Sequence, residues 1–210
     1  MKYKVMIVED QTMPRELFEL RVQASERFEL ELSIDNAALA DVYCLRFPVD
    51  LILMDVITRD GENGLDAAAR IKRAFPQIKI IIVTSMPECS YLKRAKEIGV
   101  ESFWYKEEQR ESLLDVMERT MNGESVYPGA SPELTLGMAS SYQFTERELD
   151  ILREITSGDT NQEIADRLNM SVATVKTHIL NMLEKTGFRN RTELAVRARE
   201  SGLVILNRRN

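Results

Sequence analysis

Asp55 closes the run Leu51-Ile52-Leu53-Met54. Four consecutive apolar residues suit a strand buried on both faces of a parallel sheet. The carboxylate then stands at the strand's C-terminal end, the edge at which open α/β sheets bind ligands. There it can be a nucleophile, a metal ligand or a loop cap. An earlier run of the same kind, Val5-Met6-Ile7-Val8, ends in Glu9 and Asp10. A third, Ile78 to Val83, leads to Thr84 and Ser85, and a fourth, Ser102 to Tyr105, leads to Lys106. In a parallel sheet these ends share one edge. Clustered carboxylates with a single lysine invite a hard divalent cation, and Mg²⁺ prefers such oxygen ligands. A metal, a lysine and a hydroxyl together suit the oxygens of a phosphoryl group. One carboxylate is then left as a nucleophile, and carboxylates form aspartyl phosphates.

The elements that must hold these groups alternate from the start. Strands are predicted at 4–9, 28–32, 51–54, 78–83 and 102–105. Helices are predicted at 12–25, 36–45, 63–75, 88–98 and 111–122. Pro14 falls in the first turn of its helix, where proline is tolerated. Phe28 to Leu32 alternates apolar and acidic residues, as a half-exposed strand does. Five such βα units predict a doubly wound parallel sheet. The chain has 210 residues, 44% hydrophobic and 30% charged, which fits one or two globular domains. No apolar run approaches the roughly 20 residues that span a bilayer, and the N-terminus lacks a signal-peptide core. The expectation is a cytoplasmic protein that makes no membrane contact. Cys44 and Cys89 lack metal-ligand spacing and read as reduced structural residues.

Net charge is −6, unevenly spread. Residues 144–210 carry 11 Lys+Arg against 10 Asp+Glu, or +1, which leaves 17 against 24, or −7, for the rest. That balance excludes a whole-surface nucleic-acid binder and allows a local one near the C-terminus. Residues 123–143 contain Pro128, Pro132 and three glycines, a linker composition. Beyond them the strand signals stop. Thr145-Glu-Arg-Glu148 and Thr160-Asn-Gln-Glu163 are capping boxes that open two helices. A short turn, Asn169-Met170-Ser171, precedes a longer helix over 172–186. Short helix, tight turn and longer helix is the helix-turn-helix layout. Val175, Ile179, Met182 and Leu183 form the inward face of the longer helix. Ala173, Lys176, Thr177, Leu180, Asn181 and Glu184 form the outward face, which suits a major groove. Lys176 can meet phosphate or guanine and Asn181 adenine. Leu180 can meet a thymine methyl, and Lys185, Arg189 and Arg191 suit phosphates. The alternative on periodicity alone is a solvated helix face. A last helix, 191–201, carries the small residues Ala195 and Ala198, which either admit a second copy or pack on the module's own core.

Residues 1–122 resemble the receiver domain of bacterial two-component response regulators in Glu9-Asp10, the strand ending in Asp55, the Thr84-Ser85 step and Phe103-Trp104-Tyr105-Lys106. The resemblance implies a flavodoxin-like five-stranded doubly wound sheet. It implies that Asp55 accepts phosphate from a sensor histidine kinase, and that Mg²⁺ binds Asp10, Asp55 and the Ile57 backbone carbonyl with Glu9 assisting. It also implies that Thr84 and Lys106 sense the phosphoryl oxygens and that Phe103 is the switch aromatic. The chain departs from the usual pattern in Glu9, in lacking Met-Pro after Asp55, in a glycine (Gly64) one residue late, and in Glu107 where proline is common. Residues 144–204 resemble the LuxR-type helix-turn-helix of NarL/FixJ regulators in Thr145–Glu148, Asn161-Gln-Glu-Ile-Ala165, Thr174-Val-Lys-Thr-His178, Asn181, Lys185-Thr-Gly187 and Asn190–Glu193. That implies a small all-α four-helix domain on double-stranded DNA, with the last helix pairing two copies into a homodimer. His178, the one histidine, reads as a packing or phosphate-contacting residue.

The expected organisation is a receiver at 1–122, a linker at 123–143 and a DNA-binding domain at 144–210. The expected function is a phosphorylation-controlled transcription factor, not an enzyme. Two rivals are a phosphohydrolase with Asp55 as nucleophile, which in the haloacid dehalogenase manner needs an acid where Ile57 stands, and a DNA-binding regulator whose receiver serves only as a phosphorylation-independent dimerisation platform.

Overall fold

A computed structural model describes residues 2–59, 63–85, 89–106, 112–130 and 132–204. The centre of the loop after Asp55, Glu107, and the expected helix starts Glu88 and Glu111 lie outside the described residues. The chain forms two compact units, the first holding 1–85 and 91–130 and the second 131–209.

In the first unit five strands alternate with five helices. They are β1 (Tyr3–Val8), α1 (Thr12–Gln23), β2 (Phe28–Ile34), α2 (Ala40–Arg46), β3 (Leu51–Met54), α3 (Gly64–Ala74), β4 (Lys79–Thr84), α4 (Cys89–Ile98), β5 (Ser102–Tyr105) and α5 (Leu113–Met121). The sheet is parallel with order β2-β1-β3-β4-β5. This is the flavodoxin-like doubly wound arrangement, and its strand order reverses between β1 and β3. β3 and β4 are buried at all or nearly all positions and β1 over Val5–Val8; β2, at one edge, is buried only at Phe28, whereas β5, at the other, is buried throughout, with Phe103 N–H paired to the Val126 carbonyl. Alternate residues Val5, Ile7, Leu51, Leu53, Ile81, Val83 and Trp104 pack on Phe18 and Val22 of α1 and on Leu113, Val116 and Met117 of α5. Met6, Val8, Ile52, Met54, Ile80, Ile82 and Phe103 point to the other face by strand alternation and are likewise buried. The segment expected as one helix at 36–45 divides into a 3-10 turn, Ala37–Leu39, capped by Asn36, and α2.

The second unit opens with a small hairpin, β6 (Thr135–Leu136) and β7 (Ala139–Ser140). Four helices follow: α6 (Glu146–Thr156), α7 (Asn161–Arg167), α8 (Val172–Thr186) and α9 (Arg191–Glu200). Both capping boxes form, Thr145 with Glu148 and Thr160 with Glu163. Gly187 ends α8 in the left-handed conformation at φ 74°. Leu149, Ile151, Leu152, Ile155, Ile164, Val175, Met182, Leu194 and Ala198 share one core with Leu136, Ala139 and Phe144.

Linker composition does not mean an unpacked linker. Val126 is buried in the first unit's core. Leu134 packs on the second core, with Leu136 and Ala139 inside it. Prolines and glycines mark turns here, and the apolar residues between them are what pack. Among the described residues no helix is long and apolar enough to cross a membrane.

Candidate functional site

β1 and β3 are neighbours, in register from Val5 with Leu51 to Val8 with Met54, so Glu9, Asp10 and Asp55 emerge side by side at the point where strand order reverses. Each offers a carboxylate oxygen within 4.8 Å of the others. Glu9 is fully buried and Asp55 is 4% exposed. Lys106 reaches across from the end of β5. Its Nζ donates to Glu9 Oε2 at 2.5 Å and to Asp55 Oδ2 at 2.7 Å. The remaining Asp55 oxygen, Oδ1, accepts the Val56 backbone N–H at 2.7 Å. Gln11 N–H donates to Glu9 Oε1 at 3.1 Å, and Arg15 donates to the Glu9 backbone carbonyl at 3.1 Å. Sequence reading missed Val56 and Arg15, since a backbone donor and a side chain on the next helix leave no mark in spacing.

The electrostatics are those of an overfilled acid site. Burial pushes the Asp55 carboxyl up, Lys106 pulls it back, Glu9 pushes it up again, and it settles at about 7. Burial alone would lower the Lys106 ammonium, but the charges of Asp55 and Glu9 outweigh it and hold Lys106 above its ordinary value. Three carboxyl groups crowd one ammonium in a confined space, and their mutual repulsion is part of what holds the Asp55 carboxyl up. An all-oxygen donor set of this kind fits Mg²⁺.

The loop after β3 is pinned at both ends. Ile57 bridges Asn63 in antiparallel fashion, and Gly64 N–H donates to the Val56 carbonyl at 2.8 Å. Asn63 caps α3 by accepting from Leu65 N–H at 2.8 Å. Gly64 lies so close to Asp55 that a Cβ on it would stand 1.8 Å from the Asp55 carbonyl oxygen. The late glycine therefore still abuts the acid. Thr84 is fully buried at the end of β4, and its carbonyl accepts the Lys106 backbone N–H at 2.9 Å. Phe103 is 1% exposed, with its ring centroid 5.0 Å from that of Tyr105 and 6.4 Å from that of Tyr127.

On α8 the two expected faces are present. Val175, Ile179 and Met182 are buried, while Ala173, Lys176, Thr177, Leu180, Asn181 and Glu184 are exposed. Leu180 is 59% exposed, a large apolar side chain with no cover in its own module. His178 is half-buried and Arg189 is exposed. Lys185 and Arg191 differ from expectation. All three Lys185 donors are committed inside the unit, to Glu148 Oε1 and Oε2 at 2.7 Å each and to the Gln143 carbonyl at 3.0 Å. Arg191 donates to Asn161 Oδ1 at 2.8 Å and to the Asp159 carbonyl. These cations tie α8 to α6 and α9 to α7. Ala198 requires a correction: it is fully buried in the module's own core, and Ala195 packs against that core. The exposed apolar residue of α9 is Val196, 49% exposed. Small residues read equally well as self-packing or copy-packing until the core is seen.

Comparison with known proteins agrees with this division of the chain. The response regulator receiver domain model matches residues 5–118, and the model for bacterial regulatory proteins of the luxR family matches residues 142–198. The response regulator protein VraR of Staphylococcus aureus is 34% identical over 97% of this chain and 100% of its own length. A structure of two RcsB dimers bound to two parallel DNAs superposes with a TM-score of 0.61 at 17% identity, covering 94% of this chain and 98% of that one. RcsB from Salmonella enterica serovar Typhimurium, bound to promoter rprA with the phosphomimetic BeF3⁻, gives 0.58 at 19% identity over 94% and 98%. At those identities the two structures speak to the fold.

Proposed function

The chain belongs to the bacterial response regulators that join a receiver domain to a LuxR-type DNA-binding domain, and we propose that phosphorylation of Asp55 by a sensor histidine kinase controls its binding to DNA. The observation that carries this reading is the placement of Asp55 beside Glu9, Asp10 and the Lys106 ammonium at the reversal of strand order. In this reading Asp55 Oδ2, now on Lys106, attacks the phosphorus of the kinase's phosphohistidine, and the P–N bond breaks as the histidine nitrogen leaves. The Val56 N–H holds Oδ1 and so fixes the carboxylate's orientation. Glu9, Asp10, Asp55 and the Ile57 carbonyl would hold Mg²⁺, which when bound would offset the negative charge of the transferring group. Lys106 then moves its hydrogen bond from the carboxylate to a phosphoryl oxygen, and the Thr84 hydroxyl donates to another. Phe103 repacks as these two residues shift. The family is one of transcription regulators, and the haloacid-dehalogenase alternative lacks the acid it needs at Ile57.

At the other end, the exposed face of α8 enters the major groove, with Lys176, Thr177, Leu180 and Asn181 on base edges and phosphates and Arg189 on the backbone. Lys185 and Arg191 act by holding α8 and α9 in position. The solved RcsB dimers on DNA support a homodimer of this chain on DNA, with Val196 on the outward face of α9. In this reading the receiver function lies in 1–122 and DNA binding in 144–210; of the intervening 123–143, Val126 packs with the first core, and Leu134, Leu136 and Ala139 with the second. The test is intact mass after incubation with a small phosphoryl donor and Mg²⁺. A single phosphoryl adduct is expected on the wild type and none on Asp55→Ala; an unmodified wild type with every donor and kinase tried would refute the reading.

A further inference from the structure

Phe103 is held by a segment that sequence reading assigned to the linker. α5 ends at Met121, and Gly123, at φ 95°, turns the chain back. Its N–H donates to the Thr120 carbonyl at 3.0 Å and Glu124 N–H to the Arg119 carbonyl at 3.0 Å, a Schellman close. The chain then runs along the outer edge of β5. The Phe103 backbone N–H donates to the Val126 carbonyl at 2.8 Å, and Val126 N–H donates to Ser102 Oγ at 3.1 Å. Val126 is 8% exposed. The edge strand, which would otherwise present unpaired backbone groups, is thus covered by residues that lead to the second unit.

Tyr127 completes the arrangement. Its ring centroid lies 6.4 Å from that of Phe103, and its hydroxyl donates to the Val100 carbonyl at 2.7 Å. Lys96 of α4 places its Nζ 5.0 Å from the centroid of the same ring. The ring is therefore held by β5, by the turn before it and by α4, and it is one of two aromatic rings beside Phe103. A ring that is 1% exposed cannot change rotamer without displacing a neighbour.

We propose that Tyr127 is a latch that reads the position of Phe103 and passes the state of the Asp55 site to the segment joining the two units. This rests on the reading of Asp55 as phosphoacceptor. With Phe103 in its present place, Tyr127 and Val126 are docked, and residues 128–133 separate them from Leu134, which is packed on the second core. When Phe103 repacks, the Tyr127 ring loses its seat and the Val126 pairing frays. The joining stretch then grows to 125–133, and its extended reach rises from about 20 Å to about 30 Å. The latch thus sets how far the DNA-binding module can travel from the receiver.

The experiment uses the full chain as wild type, Tyr127→Phe and Tyr127→Ala, each with and without a small phosphoryl donor and Mg²⁺, the adduct being verified by intact mass. Amide hydrogen exchange is followed in peptides covering 124–130, and DNA affinity is measured in both states. In the wild type, exchange is expected to rise at least 10-fold on phosphorylation. Tyr127→Ala should exchange at the raised rate in both states, and its ratio of phosphorylated to unphosphorylated DNA affinity should fall toward 1. Tyr127→Phe, which keeps the ring and loses only the bond to Val100, should stay near wild type. A purely structural Tyr127 would lower the stability of both states and leave that ratio unmoved. The latch is overturned if the adduct forms while exchange at 124–130 is the same in both states, or if Tyr127→Ala keeps the wild-type ratio. Absence of the adduct would instead overturn the Asp55 reading, and the latch with it.

Discussion

Replacing Gly64 with alanine tests whether the loop after Asp55 is built around the acid. An added Cβ would lie 1.8 Å from the Asp55 carbonyl oxygen and 2.9 Å from its carbon, with Met54 Cγ at 3.0 Å. Non-bonded carbon and oxygen need a little over 3 Å, so the Asp55 peptide or the start of α3 must move by about 1.3 Å, set by packing limits. The nearest obstacle is backbone, which cannot rotate aside as a side-chain tip can. Overpacking of this kind costs about 1–3 kcal/mol, and a value near 2 kcal/mol corresponds to about 30-fold in the folding equilibrium. The displaced peptide also carries the Val56 N–H that holds Asp55 Oδ1 at 2.7 Å. A misplacement of about 1 Å at a reacting group slows a reaction by about 100-fold. Two assays read these effects: urea unfolding of the full chain, and the rate of adduct formation with a small phosphoryl donor, followed by intact mass. The expected result is a loss of about 2 kcal/mol in the receiver transition, a rate lower by about 10–100-fold, and unchanged DNA affinity of the unphosphorylated protein. An alanine variant within about 0.5 kcal/mol of wild type, with an undiminished rate, would show that the loop gives way easily and that Gly64 does not position Asp55.

Four further outcomes follow from the second unit. Burial works to raise the Glu148 carboxyl, but Lys185 and the Thr145 N–H and hydroxyl outweigh it and hold Glu148 below its ordinary value of 4.5. Its contribution to stability is therefore present above the unfolded value and lost as pH falls through the folded one; unfolding measured from pH 6 to pH 3 should show that loss in the wild type and not in Glu148→Gln. Lys185→Met strands a buried carboxylate and should cost about 2–3 kcal/mol, less than a fully buried pair because Lys185 is one-third exposed; a phosphate-contacting Lys185 would instead reduce the salt dependence of DNA binding. Asn181→Ala and Leu180→Ala should each weaken specific DNA binding by about 1–3 kcal/mol while leaving thermal unfolding in place, and an unfolding shift without an affinity change would remove α8's outer face from the interface. Ala198→Leu should destabilise the module by about 1–3 kcal/mol by overpacking, whereas Val196→Asp should leave stability alone and lower the apparent affinity for paired half-sites, as read by gel shift.

The sequence was explicit wherever the physics is local. Apolar runs named β1, β3, β4 and β5 because a strand buried on both faces has few polar positions. Thr145 with Glu148, and Thr160 with Glu163, announced two helix starts because a capping box is satisfied within four residues. The acids at strand ends followed from alternation of element types, since a parallel sheet gathers its C-terminal ends on one edge. Tertiary structure alone decided which group meets which. Alternation puts Lys106 and Glu9 on one edge, but the bond between them, across 97 residues, is set by packing. Lys185 and Arg191 look like any surface cations until Glu148 and Asn161 are seen beside them. Ala198 is small enough for a helix pair or for its own core, and only packing chooses. Val126 and Tyr127 lie in a stretch whose prolines and glycines read as linker, because composition records how easily a chain turns and not what its apolar residues find when it does.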